Sequence, residues 1–224
     1  MNRAVTPRQL VLALDHAESF ARDDFLAGPS NAAALALIER WPDWPDRAMA
    51  LVGPEGAGKT HLASIWAEAS GARVLSASLL ARGDLPAALA TGALVLEDLD
   101  SSDIDEPALF HLLNLAREER SFLLITAREA LTALPVTIGD LASRLRAVPA
   151  VTLDAPDDAL LRAVLVKLAA DRQMAVDEAL VNYLATRIER SFAAAGLAIA
   201  RLDEEAIRQQ RPVTRALAAE LFQV

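Results

Sequence analysis

The sequence contains no cysteine, which excludes a disulfide framework, a thiolate nucleophile and cysteine-ligated zinc. Histidine is nearly as scarce. His16, His61 and His111 lie far apart without ligand spacing, so a histidine metal cage is not expected. Aromatic residues make up 4% of the chain, too few for a row of rings on which single-stranded nucleic acid would stack. Lysine occurs twice, at Lys59 and Lys167, among 22 basic residues, and the formal net charge is −9. Such a chain lacks the phosphate-neutralising surface from which an autonomous grip on duplex DNA draws its affinity. No apolar run approaches the roughly 20 residues of a membrane span. The early stretch QLVLAL, residues 9–14, is too short for a signal peptide and is followed at once by Asp15 and His16. A soluble, cytoplasmic protein is expected.

What is present is a rhythm. With 224 residues, 53% of them hydrophobic, the chain can bury a substantial core. From residue 30 to residue 154, short apolar runs (RAMALVGP, RVLSAS, GALVLEDL, SFLLITA, AVTL) alternate with helical patterns. That order predicts an α/β fold with parallel strands and helices on both faces. After DAPDD the rhythm changes. Helices are expected from Asp157/Asp158 to about Arg172, then near 177–189, 191–210 and 213–222, with no strand among them. The layout reads as an extended tail over 1–20, an α/β core over 21–154 and a small all-helical unit over 155–224.

The stretch GPEGAGKTH, residues 53–61, follows the first apolar strand and opens a helix. Gly53, Gly58, Lys59 and Thr60 satisfy G-x-x-x-x-G-K-[ST], in the strand-before, helix-after context that this pattern requires. Backbone N–H groups of Glu55, Gly56, Ala57 and Gly58 and of the helix start would surround a β-phosphate. Lys59 would bridge β and γ phosphates, and Thr60 would reach Mg²⁺. ADP or ATP with Mg²⁺ is the expected ligand. Hydrolysis also needs acids at the end of a neighbouring strand. Glu97 and Asp98 in VLEDLD supply them, Glu97 falling where aspartate normally holds Mg²⁺ together with Thr60. The extra methylene shifts the carboxylate by about an ångström, and shifts of that size cost on the order of 100-fold in rate. A merely solvated strand end is the alternative for these two acids.

Taken together, these motifs resemble the AAA+ ATPases of the replication-initiator DnaA group, and more closely its short regulatory Hda-like branch. DDFLAGPSNAAALALI resembles the nucleotide-entry segment, GPEGAGKTH the Walker A motif, VLEDLD Walker B, LLITARE the sensor 1 strand and DLASRL the arginine-finger box. The resemblance implies an AAA+ P-loop core with a helical lid. It adds Phe25, Asn31 and His61, and Arg190 of the lid, to the nucleotide-binding set, and makes Arg144 an arginine finger offered in trans to a neighbouring subunit. It also makes QLVLAL a peptide for the DNA polymerase sliding clamp (beta subunit). Gln9 would then lie at the rim of an apolar cleft, with Leu10, Leu12 and Leu14 supplying the apolar side chains. Two readings stay open beside these: an N-terminal strand packed on its own core for QLVLAL, and a surface pair with Asp140 for Arg144.

The departures from the family pattern carry a mechanistic expectation. Arg128 stands at sensor 1, where the branch commonly has aspartate, and Ala193 stands where the lid arginine of sensor 2 would be, Arg190 lying one turn earlier. Both changes leave binding to the loop and slow the chain's own turnover. The implied protein is an ADP-bound adaptor that binds the clamp and stimulates ATP hydrolysis by DnaA, touching DNA only indirectly at the replisome on the nucleoid, with no membrane partner. An autonomous AAA+ ATPase or loader, a scaffold without ATPase-stimulating activity, and self-association into a homo-oligomer remain open from sequence.

Overall fold

The computed structural model describes residues 20–100 and 104–222. The QLVLAL stretch lies outside them. Five strands form one parallel sheet: β1 (Ala48–Val52), β2 (Arg73–Ser76), β3 (Ala93–Glu97), β4 (Phe122–Ala127) and β5 (Ala150–Thr152), in the order β2-β3-β4-β1-β5. The three central strands read as nearly continuous apolar runs because both of their faces are covered, which leaves no solvent face to alternate with. Val52 pairs with Ala127, and Leu96 pairs with Ile125. The carboxyl ends of β1, β3 and β4 therefore finish at one rim, the side of an open α/β sheet where ligands bind.

Helices cover the two faces. On one side lie α1 (Ala32–Glu39) and α2 (Lys59–Ser70), burying Leu35, Ile38, Leu62 and Trp66 against Leu51 and Val95. All three tryptophans collect under this face: Trp44 stacks on Trp66 at 5.0 Å between ring centroids, and Trp41 meets Trp66 edge-on at 6.5 Å. On the other side lie α3 (Leu85–Leu89), α4 (Glu106–Glu118) and α5 (Gly139–Ala147), burying Leu109, Leu112, Leu141 and Leu145 against Leu94 and Ile125. Between β2 and β3 the chain forms two short pieces, a 3-10 turn over Ala77–Arg82 and then α3. The break falls at Gly83, after which Asp84 restarts the chain by accepting a hydrogen bond from the Ala87 N–H.

Past β5 the remaining helices, α6 (Asp158–Asp171), α7 (Glu178–Ala185), α8 (Phe192–Gln209) and α9 (Arg215–Leu221), pack around Leu161, Leu165, Leu184, Ile199, Leu202 and Leu217. Each starts on a side-chain cap. Asp157, Asp177, Ser191 and Thr214 accept from the N–H groups of Leu160, Leu180, Ala194 and Leu217. Helix α7 stops four residues short of the expected end, where the Thr186 hydroxyl turns back onto the Tyr183 and Asn182 carbonyls. Among the described residues no helix is long and apolar enough to cross a membrane.

Leu112 is fully buried in the second core, whereas Leu197 on α8 is 73% exposed. Leu112→Ala should cost about 2–5 kcal/mol of unfolding free energy through lost burial and a residual cavity. Leu197→Ala should stay within about 0.5 kcal/mol. Urea denaturation of both variants checks the contrast.

Candidate nucleotide site

The phosphate loop is shaped by what crowds it. A Cβ at Gly53 would stand 2.3 Å from the Leu153 carbonyl oxygen, so the chain can leave β1 beside β5 only with glycine there. Gly58 has φ +95 and Gly56 φ +71, conformations that L side chains rarely adopt. Helix α2 begins at Lys59 with no side-chain cap on Gly58, and the donors of its first turn are directed at the loop. Such a helix start favours anions through both its N–H groups and its dipole. Lys59 is buried and its Nζ donates to the Gly53 and Pro54 carbonyls at 2.7 and 2.8 Å, which ties the ammonium to the floor of the loop. Burial pulls its pKa below the usual lysine value; the Asp98 carboxylate opposes that, and the Arg128 guanidinium adds to it.

The acids lie opposite. Thr60 lies close enough to the Glu97 carboxylate to act on its titration, so the two expected Mg²⁺ ligands are neighbours. Burial and the nearby Asp98 raise the Glu97 pKa, Thr60 lowering it in part. Asp98 has φ +56, a left-handed conformation unusual outside glycine. Its N–H donates to Thr126 Oγ1 at 3.0 Å, and the next N–H, of Leu99, donates to the Thr126 carbonyl at 2.9 Å. Thr126, fully buried in β4, therefore fixes the turn that presents Asp98. Among the described residues no cluster of three or more acidic, histidine or cysteine side chains stands ready to hold a metal. A hydroxyl and one or two carboxylates beside a phosphate loop are an oxygen donor set that suits Mg²⁺ shared with nucleotide phosphates.

Loop and lid enclose a cleft of about 640 Å³. Gly56, Gly58, Lys59, Thr60, Glu55, Asp98 and Arg128 line its phosphate end. Phe25, Phe20, His61, Val164 and Leu168 make an apolar wall, where His61 is met edge-on by Phe25 at 5.1 Å and by Phe20 at 5.4 Å. The lid closes directly on the loop. Phe192 N–H donates to the Gly56 carbonyl at 2.8 Å, and a Cβ at Gly58 would come within 3.3 Å of the Phe192 ring. Ala193 also lines the cleft and faces Gly56. A second joint is Lys167, whose Nζ binds Asp24 of the core at 2.7 Å and Asp171 of the lid at 2.8 Å.

Other expected residues fall elsewhere. Asn31 is buried but does not line the cleft: its Oδ1 accepts from Gly28 N–H and its Nδ2 donates to the Leu26 carbonyl, so it shapes the entry segment. Arg190 pairs with Asp158 at 2.7 Å and is not among the lining residues either; the lid's cations in the cleft are Lys167 and Arg172. Arg128, at the end of β4, pairs with Glu55 of the loop at 3.0 Å.

Arg144 lies on α5, outside this cleft. Its guanidinium rests over the Phe110 ring of α4, 5.3 Å from the centroid, and forms no salt bridge with Asp140 among the described residues. One helical turn before Phe110, the Glu106 carboxylate accepts from Thr137 N–H and Ile138 N–H at 2.8–2.9 Å, just where α5 starts. Glu106 and Phe110 thus form one face of α4 that sets the position of α5 and of Arg144. Sequence reading missed both. The i, i+4 spacing was visible, but the partner loop is 31 residues away.

No family model matches the sequence, and no curated protein does. Solved structures do match. Domain III of the Thermotoga maritima replication initiation protein DnaA superposes with a TM-score of 0.73 at 17% identity, over 91% of this chain and 95% of that one. The chain has the AAA+ fold. Replication initiator DnaA bound to AMPPCP and single-stranded DNA matches with a TM-score of 0.66 at 18% identity, covering 85% of this chain and 68% of that one. The Thermotoga maritima RuvB Holliday junction branch migration motor reaches 0.69 at 20% identity, over 90% and 70%. The AAA+ core here is thus the β1–β5 sheet with its two helical layers, and the lid is α6–α9.

Three backbone and side-chain donors to Glu106 depress its pKa below the ordinary carboxylate value. A depressed folded-state pKa means stabilisation that is present above the unfolded carboxylate range and lost as pH falls through the folded value. Glu106→Gln should therefore lower the melting temperature at pH 7. It should also lose less stability than the parent chain between about pH 5 and pH 3. Thermal melts across that window check the sign.

Proposed function

We propose that the chain is a regulator of chromosomal replication initiation: an adaptor, held together by a bound ADP, that works on the ATPase of DnaA instead of running one of its own. The observation that carries this is the placement of Arg144. Its guanidinium sits on a helix away from its own cleft, without a carboxylate partner among the described residues, and is shelved on Phe110. A free guanidinium held by packing against a ring keeps its donors available for a phosphate presented by another subunit. In the partner's site it would stabilise charge on the transferred phosphoryl group, a contribution worth roughly 10³ to 10⁵ in rate.

The chain's own cleft is suited to holding rather than turning over nucleotide. Lys59 and the start of α2 supply phosphate contacts, Thr60 and Glu97 would hold Mg²⁺, and Asp98 is left as the candidate for orienting water. Glu97 is a methylene longer than the usual aspartate, the lid offers Ala193 against Gly56, and Arg128 is paired with Glu55. The two lid joints, Phe192 on Gly56 and Lys167 on Asp24, lie at the mouth of the same cleft. A nucleotide seated there touches core and lid together. In this reading Gln9, Leu10, Leu12 and Leu14 bring the adaptor to the sliding clamp, so that DNA is contacted through partners and the acidic surface is no handicap.

A second reading has one observation in its favour, the comparable likeness to the RuvB motor. Under it the chain would assemble with itself, and Arg144 would serve the next copy.

ATP hydrolysis by DnaA, measured with clamp loaded on DNA, separates these readings. The intact chain should accelerate it. Arg144→Ala should return the rate to that of DnaA alone while still binding clamp and still showing a melting-temperature rise with ADP. Undiminished stimulation by Arg144→Ala contradicts the role. Robust ATPase by the purified chain alone, lost in Lys59→Ala, selects the motor.

A further inference from the structure

Away from the nucleotide cleft, three arginines of the lid gather on two aromatic rings. Arg187, just past α7, has its guanidinium carbon 3.9 Å from the centroid of the Tyr183 ring, and Arg215, which opens α9, lies 5.6 Å from the same centroid. Arg201 of α8 rests over the Phe222 ring at 5.5 Å. The Tyr183 hydroxyl stands 3.5 Å from the Phe222 carbonyl oxygen, so the two aromatic residues adjoin. Both are half-buried against the lid core, whereas all three arginines are exposed. Among the described residues none of the three forms a salt bridge, although acids are close at hand. Glu205, whose carboxylate feels the charge of Arg201, is bonded to Arg208 and Gln209, and Glu220 is paired with Arg211. Arg187 makes one long donation, to Thr186 Oγ1 at 3.3 Å. None of these arginines or rings lines the cleft.

Two guanidiniums on one ring repel each other, and contact with a ring face leaves their N–H forks open, so an anion is the missing partner. Carboxylates of another protein surface would meet them only as exposed pairs, which contribute little. A phosphodiester backbone offers more. Its phosphates repeat at regular spacing, their oxygens match the arginine fork, and neutralising them releases condensed counterions. We propose that this face of the lid binds the phosphate backbone of nucleic acid. Arg187, Arg201 and Arg215 take phosphate oxygens, and Tyr183 and Phe222 hold the guanidiniums in position. Contacts of this kind set register and carry no base sequence. Three charges are too few for an autonomous grip at physiological salt, in keeping with a formal net charge of −9. The contact gains weight once another attachment holds the chain beside DNA, because binding then becomes intramolecular. It adds a direct contact to the adaptor reading and does not depend on it.

The test is a salt series of fluorescence anisotropy with the full chain and a labelled DNA duplex of arbitrary sequence. Binding should be measurable at about 20 mM salt and should fall about 40-fold between about 50 and 200 mM, the slope of about −2.7 expected for three phosphates. Arg187→Gln, Arg201→Gln and Arg215→Gln should each reduce that slope by about 1, and the triple variant should lose nearly all of it. Lysine at all three positions should keep the slope and lose part of the affinity, since the charge stays and the fork goes. Arg82→Gln, at an exposed arginine of the core, changes net charge equally and should leave the slope as it was. Melting temperatures should show every variant folded, because the three side chains are exposed and form no salt bridge. No binding by the parent chain at low salt, a slope that survives in the triple variant, or an equal loss in Arg82→Gln overturns the proposal. So does a triple variant that binds DNA like the parent but loses self-association in sedimentation, which would make this face a protein contact.

Discussion

One hydrogen bond, from the Phe192 N–H of the lid to the Gly56 carbonyl of the phosphate loop, joins the two halves of the molecule at the place where a nucleotide would sit. Much else is arranged around that 2.8 Å contact. It requires glycine at Gly56, because a Cβ there would stand 2.7 Å from the Ser191 Cβ, and close passage at Gly58, where the Phe192 ring covers the loop. It places Ser191, the cap of the long helix α8, on the same spot, so the start of that helix is set by the loop as well as by its own side chain. The loop is then both a phosphate cradle and a docking surface. Under the proposed function these uses are linked, since whatever fills the cradle also stiffens the dock.

The second arrangement concerns where charge is offered. Inside the cleft three of the cations are committed: Lys59 to its own loop, Lys167 to Asp24 and Asp171, Arg128 to Glu55. Outside it, Arg144 rests on an aromatic ring and keeps its hydrogen-bond donors. Contact with a ring face attracts a guanidinium without using those donors, whereas a carboxylate would occupy them and stand in for the phosphate. Glu106 and Phe110 on one face of α4 fix both ends of this arrangement, the start of α5 and the seat of its arginine. In the proposed adaptor, the cleft serves to hold core and lid together and the half-buried Arg144 serves a partner.

The sheet was legible because buried parallel strands must be apolar on both faces, and AMALV, ALVLE and FLLITA are so apart from Glu97 and Thr126. The phosphate loop was legible because its chemistry demands glycine and lysine at fixed spacing. Helix starts in the lid could be read from Asp157 and its counterparts, since capping is local. What escaped was non-local. Asn31 sits in the right segment, yet its amide is consumed by Gly28 and Leu26, a fact of loop geometry that composition does not carry. Arg190 was placed near the phosphates from helical spacing, and Asp158, thirty-two residues earlier, is its observed partner. The Glu55–Arg128 and Glu106–Thr137 contacts likewise join segments far apart in the chain. Thr126 was visible as one hydroxyl in an apolar strand, a signal of a turn to be held that reading for motifs passed over.

The account turns on nucleotide acting as the bond between lid and core, and hydrogen exchange reads that bond directly. With saturating ADP, amides over residues 53–60 and at the start of α8, residues 191–195, should exchange more slowly together, while the far end of α8 and the tryptophan-rich base of the sheet stay as they were. Protection of the loop with no change at the start of α8 would mean that the nucleotide binds without joining the two halves, and would contradict the account.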